Sequence, residues 1–199
     1  MGSEFEPDGN TSLPTMTALD RFLQQSRIHQ AKAFLRPGMR VLDVGCSRGE
    51  LFERVSGLAP DSLGIEPTLS KAVQMERVRL LPGFFPQDIP AGAGLFDAIS
   101  MLAVLEHFPE SAYGELGRAC LRFLKRSGLL VITVPSPAVD HILAVLKTFR
   151  LVHGMALEEH HGYDIRETRK IFSAPDFELI RRQKFQLGLN NLFVFRRMS

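Results

Sequence analysis

The sequence predicts an α/β protein with a doubly wound, mostly parallel sheet of seven strands and helices on both faces. Short apolar runs alternate with stretches of helical periodicity along most of the chain, which is the pattern of βαβ units. The last two apolar runs, 177–187 and 191–197, have no helix between them and predict an antiparallel hairpin at one edge. The 199 residues, 45% apolar and 23% charged, suit one globular domain.

Each predicted element follows from a local pattern. The first helix has apolar residues near a 3.6-residue period and is ended by Arg36-Pro37-Gly38. The fifth strand, LLVITVP, combines Val, Ile and Thr, and Ser127-Gly128 predicts the end of the helix before it. The strands before the hairpin are predicted at 39–45, 62–66, 78–81, 95–102 and 129–135. The helices are predicted at 16–35, 49–57, 69–77, 110–126 and 137–152.

The ends of the chain and its composition set further expectations. Residues 1–5 resemble a remnant of cloning and residues 6–14 a loose arm, which leaves 15–199 as a single domain. Cys46 and Cys120 are far apart, which favours free thiols in a reducing, cytoplasmic compartment. A net charge of +2 without a basic stripe argues against a nucleic-acid partner. No apolar run approaches the ~20 residues of a membrane span.

Polar and glycine residues follow the first strand, at the end where an open α/β sheet binds its ligands. They are Asp43, Gly45, Cys46, Ser47 and Gly49. The glycines allow a ligand close to the backbone, and amides at a helix start favour anionic groups. Glu66 follows the second strand about 20 residues later, where a carboxylate can accept both hydroxyls of a ribose. The spacing therefore predicts a cofactor that contains a nucleoside.

The loop departs from the dinucleotide-binding pattern, because Cys, Ser and Arg lie between Gly45 and Gly49 in place of Gly-x-Gly-x-x-Gly. The close approach of a helix that a pyrophosphate needs is therefore not indicated. Asp43 would repel phosphates but attract a sulfonium or an ammonium group. These features argue against a nicotinamide-dependent oxidoreductase, which stays as an alternative.

Four segments in this order, VLDVGCSRGELF, GIEPTLSKA, FDAISMLAVLEHF and GLLVITVPSP, resemble the class I S-adenosyl-L-methionine-dependent methyltransferases. The nearest groups are the small-molecule enzymes with a Leu-Glu-His turn after strand four, and the resemblance covers about residues 28–136. It implies a Rossmann-like sheet and transfer of a methyl group to an O, N or C acceptor, with a small molecule as the expected acceptor. A non-catalytic protein that binds the cofactor or serves as a scaffold is the other alternative.

The resemblance also implies a set of cofactor-binding residues. They are Asp43, Gly45, Cys46, Ser47, Gly49, Glu66, Pro67, Phe84, Phe85, Asp88, Leu102 and Ala103. Asp43 and the loop amides would hold the methionine part, Glu66 the ribose, and Ala103 would lie near the transferred methyl group. The adenine partner stays open between Asp88 and the rings of Phe84 and Phe85, which could equally pack in the core.

The Leu105-Glu106-His107 turn raises the question of a metal. Some relatives have a Glu-x-x-Glu-His run here that can supply metal ligands, but Ala103 occupies the position of the first glutamate. A hard divalent cation would lose a carboxylate oxygen, so no metal is predicted. His107 is a candidate general base, since a nearly neutral pKa suits that task, or else a structural histidine at a helix start.

The segment between the fifth strand and the hairpin, residues 137–175, is where the resemblance implies a substrate-facing insertion. His161 and Tyr163 are the candidate substrate contacts there, and a surface loop is the alternative. The adjacent His160 and His161 would face opposite ways on a strand, so they do not imply a shared metal site. The sequence predicts neither the identity of the acceptor nor the oligomeric state.

Overall fold

The computed structural model of the protein describes residues 18–136 and 163–198. Its strands are β1 Val41–Val44, β2 Ser62–Glu66, β3 Val73–Gln74, β4 Val78–Pro82, β5 Phe96–Leu102, β6 Leu124–Pro135, β7 Phe177–Phe185 and β8 Asn190–Arg197. Its helices are α1 Ala18–Lys32, α2 Glu50–Arg54, α3 Tyr113–Phe123 and α4 Glu167–Ile171. Short 3-10 turns lie at Leu105–His107, Glu110–Ala112 and Gln186–Gly188. The predicted helix over 137–152 and the arm over 1–14 lie outside the described residues.

The strands form one sheet in the order β3-β4-β2-β1-β5-β6-β8-β7. β1, β2, β4, β5 and β6 are parallel, whereas β8 runs antiparallel between β6 and β7. The predicted parallel sheet with a C-terminal antiparallel hairpin is therefore confirmed. The strand order reverses between β1 and β5, and such a switch point opens a crevice at the carboxyl ends of the strands.

Alternating side chains on the strands build a core on each face of the sheet. On β6, Leu130 and Ile132 pack with Leu116 and Cys120 of α3. Val131, between them, packs on the opposite face in a cluster that contains residues of α1 and α2. Helices on both faces are thus confirmed, because a strand of period two gives each core every second residue. Within the described ranges, no helix is long and apolar enough to cross a membrane.

The predicted helix over 69–77 is wrong, and the sheet has eight strands in place of seven. The segment instead contains β3, which pairs antiparallel with β4 at the sheet edge. Parallel strands need a crossover of about a dozen residues or more to fit a helix, and residues 67–77 leave little room for one. The Gln74 side chain donates to the carbonyls of Met75 and Val78 at 2.8 and 3.2 Å. These hydrogen bonds stabilise the tight turn between β3 and β4.

The predicted end of the helix over 110–126 is also displaced. α3 ends at Phe123, and β6 begins at Leu124 and continues through Ser127 and Gly128. The pairing with β5 shifts register there, and Ser127 has a positive φ of 59°. A Cβ on Gly128 would lie 2.8 Å from the Lys125 carbonyl oxygen, so the close turn requires glycine. The Ser-Gly pair therefore marks a bulge inside a strand rather than a helix stop.

Candidate functional site

A cavity of about 570 Å³ lies at the carboxyl ends of β1, β2, β4 and β5, next to the reversal in strand order. Its volume falls within the range of roughly 300–1,000 Å³ that is usual for small-molecule sites. Eight of the residues predicted from the sequence line it: Gly45, Glu66, Pro67, Phe84, Phe85, Leu102, Ala103 and His107. Gly83, next to Phe84, also lines it, and so do six residues that were not predicted: Val44, Ile65, Thr68, Val104, Phe108 and Pro109. The parallel strands thus bring the separate sequence segments to one place.

Six other predicted residues are described by the structure, and none of them lines the cavity. Asp43, Cys46, Ser47, Gly49 and Asp88 are not part of its lining. Tyr163 packs against the core near α3, where its hydroxyl bonds that of Thr168 at 2.8 Å and its ring meets Tyr113 edge-on. His161 lies outside the described residues.

Glu66 is buried at the end of β2 and joins two loops. Its Oε2 accepts the Ser47 amide at 3.1 Å, and its Oε1 accepts the Thr68 amide and hydroxyl at 3.0 and 2.7 Å. A carboxylate has about four lone-pair sites, so hydrogen-bonding capacity remains for donors from the cavity. Thr68, two residues after Glu66, is a wall residue that the Glu-Pro-Thr sequence could have indicated.

The amides of the loop after β1 already have acceptors within the protein. The amides of Gly45 and Cys46 donate to the Ile65 carbonyl at 2.9 and 3.3 Å, and the Ser47 amide donates to Glu66. The Cys46 side chain points away from the cavity and packs with Val78 and Leu80. The loop therefore offers the cavity its shape more than free amide donors.

Asp43 is a buried carboxyl group next to this loop. It is buried on β1, and its Oδ1 accepts the Ser100 hydroxyl at 2.6 Å. Burial raises the pKa of this carboxyl to about 7, the Ser100 bond opposes the rise, and the negative charges of Glu50 and Glu66 add to it. A nearby cation stabilises the ionised form of a buried carboxyl group that lies beside other carboxylates.

This environment predicts a pH-dependent affinity for a cationic cofactor. A cation favours ionised Asp43, so binding should tighten as pH rises through about 7 and level off above it. We expect S-adenosylmethionine to bind up to roughly tenfold more tightly at pH 8 than at pH 6, measured by calorimetry. Asp43→Asn should bind weakly and equally at both pH values. Equal affinities of the wild-type chain at pH 6 and 8 would contradict a role of ionised Asp43 in binding the cationic cofactor.

The loop after β4 separates the two neighbouring phenylalanines. Phe85 is buried and its ring lies 5.9 Å from that of Phe123, so it belongs to the core as well as to the cavity wall. Phe84 lines the cavity with 65% of its surface exposed. Asp88 accepts the Phe84 amide at 2.7 Å and so closes this loop. Of these three, Phe84 presents the face on which a base could stack.

Phe84→Ala should weaken S-adenosylhomocysteine binding about tenfold, because stacking of a base on an aromatic ring contributes roughly 1–3 kcal/mol. Phe22→Ala is the matched control, since Phe22 on α1 is 63% exposed and lies outside the cavity lining. Calorimetric titration of both variants checks the prediction. A loss of affinity of the same size in the two variants would show that Phe84 has no specific role.

The end of β5 closes the cavity on its other side. Ala103 has a positive φ of 60°, an uncommon conformation for a residue with a Cβ, and its amide donates to the Thr133 carbonyl at 2.9 Å. Val104 follows and packs against the loop after β1, where a Cβ on Gly45 would lie 2.4 Å from its Cγ2. Gly45 and Val104 together form a cradle in the cavity wall. Their close approach requires glycine at position 45.

His107 ends the 3-10 turn that follows and is part of the cavity wall. Its amide donates to the Val104 carbonyl at 3.0 Å, which fixes the turn. Within the described parts of the chain, no three His, Cys, Asp or Glu side chains are close enough together to hold a metal ion.

These features fit a cofactor with a nucleoside and a cationic end: a buried carboxylate with spare acceptor capacity, an exposed ring, a glycine cradle and a buried Asp43. The family profile of the methyltransferase domain matches residues 17–182. The chain belongs to the class I S-adenosyl-L-methionine-dependent methyltransferases. The sequence-based assignment to this family and to this cofactor is confirmed. The nicotinamide-dependent alternative is set aside.

Curated methyltransferases provide the next comparison. The chain is 31% identical over 157 residues to a ubiquinone biosynthesis O-methyltransferase of Xanthomonas axonopodis, covering 71% of this chain and 63% of that one. It is 39% identical over 79 residues to a tRNA U34 carboxymethyltransferase of Methylococcus capsulatus, covering 35% of this chain and 24% of that one. The methyltransferase chain thus spans less than two thirds of either relative.

Solved structures show the same fold in other methyltransferases. The magnesium protoporphyrin IX methyltransferase of Synechocystis PCC 6803, solved with bound S-adenosylhomocysteine, has a TM-score of 0.66 and 17% identity to this chain. The match covers 94% of this chain and 90% of that one. At this identity the comparison establishes the shared fold alone.

Proposed function

We propose that this methyltransferase transfers a methyl group from S-adenosylmethionine to a hydroxyl oxygen of a small molecule. The cavity wall formed by Glu66, Phe84, Gly45 and Ala103 is the observation on which the proposal depends. The similarity to a ubiquinone biosynthesis O-methyltransferase supports oxygen as the acceptor atom. The absence of a basic stripe in the sequence disfavours a nucleic-acid acceptor.

Glu66, Phe84, Asp43 and the end of β5 have separate tasks in this proposal. Glu66 accepts the two ribose hydroxyls, one with the lone pair that Ser47 and Thr68 leave unused and the other in place of one of these protein donors. Phe84 stacks on the adenine, and buried Asp43 attracts the cationic methionine end. Leu102 and Ala103 at the end of β5 lie beside the reacting methyl group.

The bound cofactor supplies a methyl carbon that its cationic sulfur already activates for displacement. The protein's main contribution is therefore to hold the acceptor oxygen in line with the carbon–sulfur bond and to exclude water. Apolar wall residues, Val104 and Phe108, can exclude water at the β5 side of the cavity. His107, on the same wall, can bond a polar group of the acceptor.

Methyl transfer to panels of acceptors tests the proposal. The chain is incubated with methyl-labelled S-adenosylmethionine and with catechols, simple phenols, primary amines, thiols and transfer RNA in separate reactions. We expect label on catechols or phenols, and S-adenosylhomocysteine formed in equal amount. Label on amines or thiols alone would contradict a hydroxyl acceptor, and label on RNA alone would contradict a small-molecule acceptor. Binding without any transfer would favour a non-catalytic protein.

A further inference from the structure

The Glu66 carboxylate has fewer unused acceptor sites than the ribose of the cofactor has hydroxyls. Both lone pairs of Oε1 are taken within the protein, by the amide and the hydroxyl of Thr68 at 3.0 and 2.7 Å. Among the described residues, Oε2 accepts one hydrogen bond, from the Ser47 amide at 3.1 Å, so one lone pair is left on the carboxylate. Two ribose hydroxyls need two lone pairs. One of the three protein donors therefore has to give up its position when both hydroxyls bind.

Two of the three donors are backbone amides in segments that other hydrogen bonds hold in place. The Ser47 amide belongs to the loop after β1, and the two preceding amides of this loop donate to the Ile65 carbonyl. The Thr68 amide belongs to the turn after β2, which the Leu69 amide closes by donating to the Glu66 carbonyl at 3.4 Å. Either amide could leave the carboxylate only if the loop or the turn changed its backbone conformation.

Of the three donors, the Thr68 hydroxyl is the one that can leave without a change in the backbone. Rotation about a single side-chain bond, to another staggered rotamer, turns it away from Oε1. Thr68 is exposed and lines the cavity, so the rotated hydroxyl meets solvent or ligand rather than the core. A hydroxyl that reaches water regains a hydrogen bond there, which keeps the cost of the exchange small.

We propose that the Thr68 hydroxyl competes with a ribose hydroxyl for Oε1 of Glu66 and thereby limits the affinity for the cofactor. Thr68 is a positioning residue: it orients the carboxylate of the free protein and yields one lone pair to the ribose on binding. The second ribose hydroxyl takes the unused lone pair of Oε2. This inference rests on the proposed function, in which Glu66 binds the ribose, and it is independent of the acceptor molecule.

The direction of the effect separates competition from simple support. If Thr68 only held Glu66 in place, loss of its hydroxyl would weaken cofactor binding. If the hydroxyl competes with the ribose, its loss removes the competitor and tightens binding, while the free protein loses a hydrogen bond to a charged group. S-adenosylmethionine and S-adenosylhomocysteine contain the same ribose, so the affinities for both should change by the same factor.

The test titrates Thr68→Ala with S-adenosylhomocysteine by calorimetry. The variant should bind about three- to tenfold more tightly than the wild type, the range expected when a hydrogen bond of ordinary net strength no longer has to be displaced. Its melting temperature without ligand should be lower than that of the wild type. Thr68→Ser keeps the hydroxyl and is the matched control, so its affinity should equal that of the wild type. Unchanged or weaker binding by Thr68→Ala would overturn the inference.

The 2′-deoxy and 3′-deoxy analogues of S-adenosylhomocysteine show whether the tightening comes from the ribose. It should disappear for at least one of the two analogues, because a ligand whose single ribose hydroxyl faces Oε2 finds an unused lone pair there and displaces no donor. Tightening of equal size for the parent compound and for both analogues would overturn the inference, since it would not come from a ribose hydroxyl.

The same titrations separate failure of the inference from failure of the proposed function. If the wild-type chain binds both deoxy analogues as tightly as the parent compound, Glu66 does not hold the ribose, and the proposed role of Glu66 fails together with the inference. If the wild-type chain discriminates against the analogues but Thr68→Ala does not bind the parent compound more tightly, the inference alone fails.

Discussion

Gly45→Ala should reduce S-adenosylmethionine binding at least 100-fold. The new Cβ would lie 2.4 Å from Cγ2 of Val104, at a backbone φ of 72° that an L side chain rarely adopts. Relief of this clash moves Val104 or the loop after β1, and either movement deforms the cavity. Equilibrium titration with the labelled cofactor measures the loss.

Two further variants separate the clash from general backbone strain. Gly38→Ala places the same methyl group at a similar φ of 83° with nothing within 4 Å, so it should cost about 1 kcal/mol of stability and leave binding intact. The double variant Gly45→Ala with Val104→Ala removes the clashing atom and should recover part of the affinity. Equal loss of binding in the Gly38 and Gly45 variants would contradict a cradle at Gly45.

Glu66→Gln should weaken S-adenosylhomocysteine binding about 100-fold. The substitution removes the charge that strengthens bonds to the ribose hydroxyls, each worth roughly 1.5–3 kcal/mol when the acceptor is ionised. It also turns an amide nitrogen toward one of the two loops that Glu66 joins through Ser47 and Thr68. Glu53→Gln, an exposed residue of α2 with the same change of charge, should leave binding unchanged.

A ligand analogue shows whether that loss comes from the ribose. The 2′-deoxy analogue of S-adenosylhomocysteine should bind the wild-type chain markedly more weakly than the parent compound. The Glu66→Gln variant should discriminate much less between the two ligands, since the lost bond is common to both changes. Undiminished discrimination by the variant would mean that Glu66 supports the loops without contacting the ribose.

The sequence predicts which segments meet at the cavity, because the signals are local and the parallel strands bring them to one edge of the sheet. Gly45 follows β1 and Glu66 ends β2, and parallel strands bring their carboxyl ends to one edge. The direction of individual side chains is not encoded in this way. Phe84 and Phe85 are neighbours of the same type, yet the loop buries one and exposes the other.

Other features depend on contacts between distant segments. The helical periodicity of residues 69–77 does not produce a helix, because the crossover between β2 and β4 is short and leaves space for β3 and little more. The charge of Arg27 acts on Glu106 only because α1 packs near the carboxyl end of the sheet, and Arg27 does not stand out in the sequence by its spacing. Contacts of this kind between distant segments are therefore harder to predict than the positions of neighbouring strand ends.

A crystal structure of the chain with S-adenosylhomocysteine tests the central claim most directly. The account predicts the ligand in the cavity at the ends of β1, β2, β4 and β5, with both ribose hydroxyls within about 3.2 Å of the Glu66 carboxylate. The adenine should lie against Phe84, and the sulfur should lie beside Ala103. A ligand bound elsewhere, or in this cavity with its ribose away from Glu66, would contradict the account.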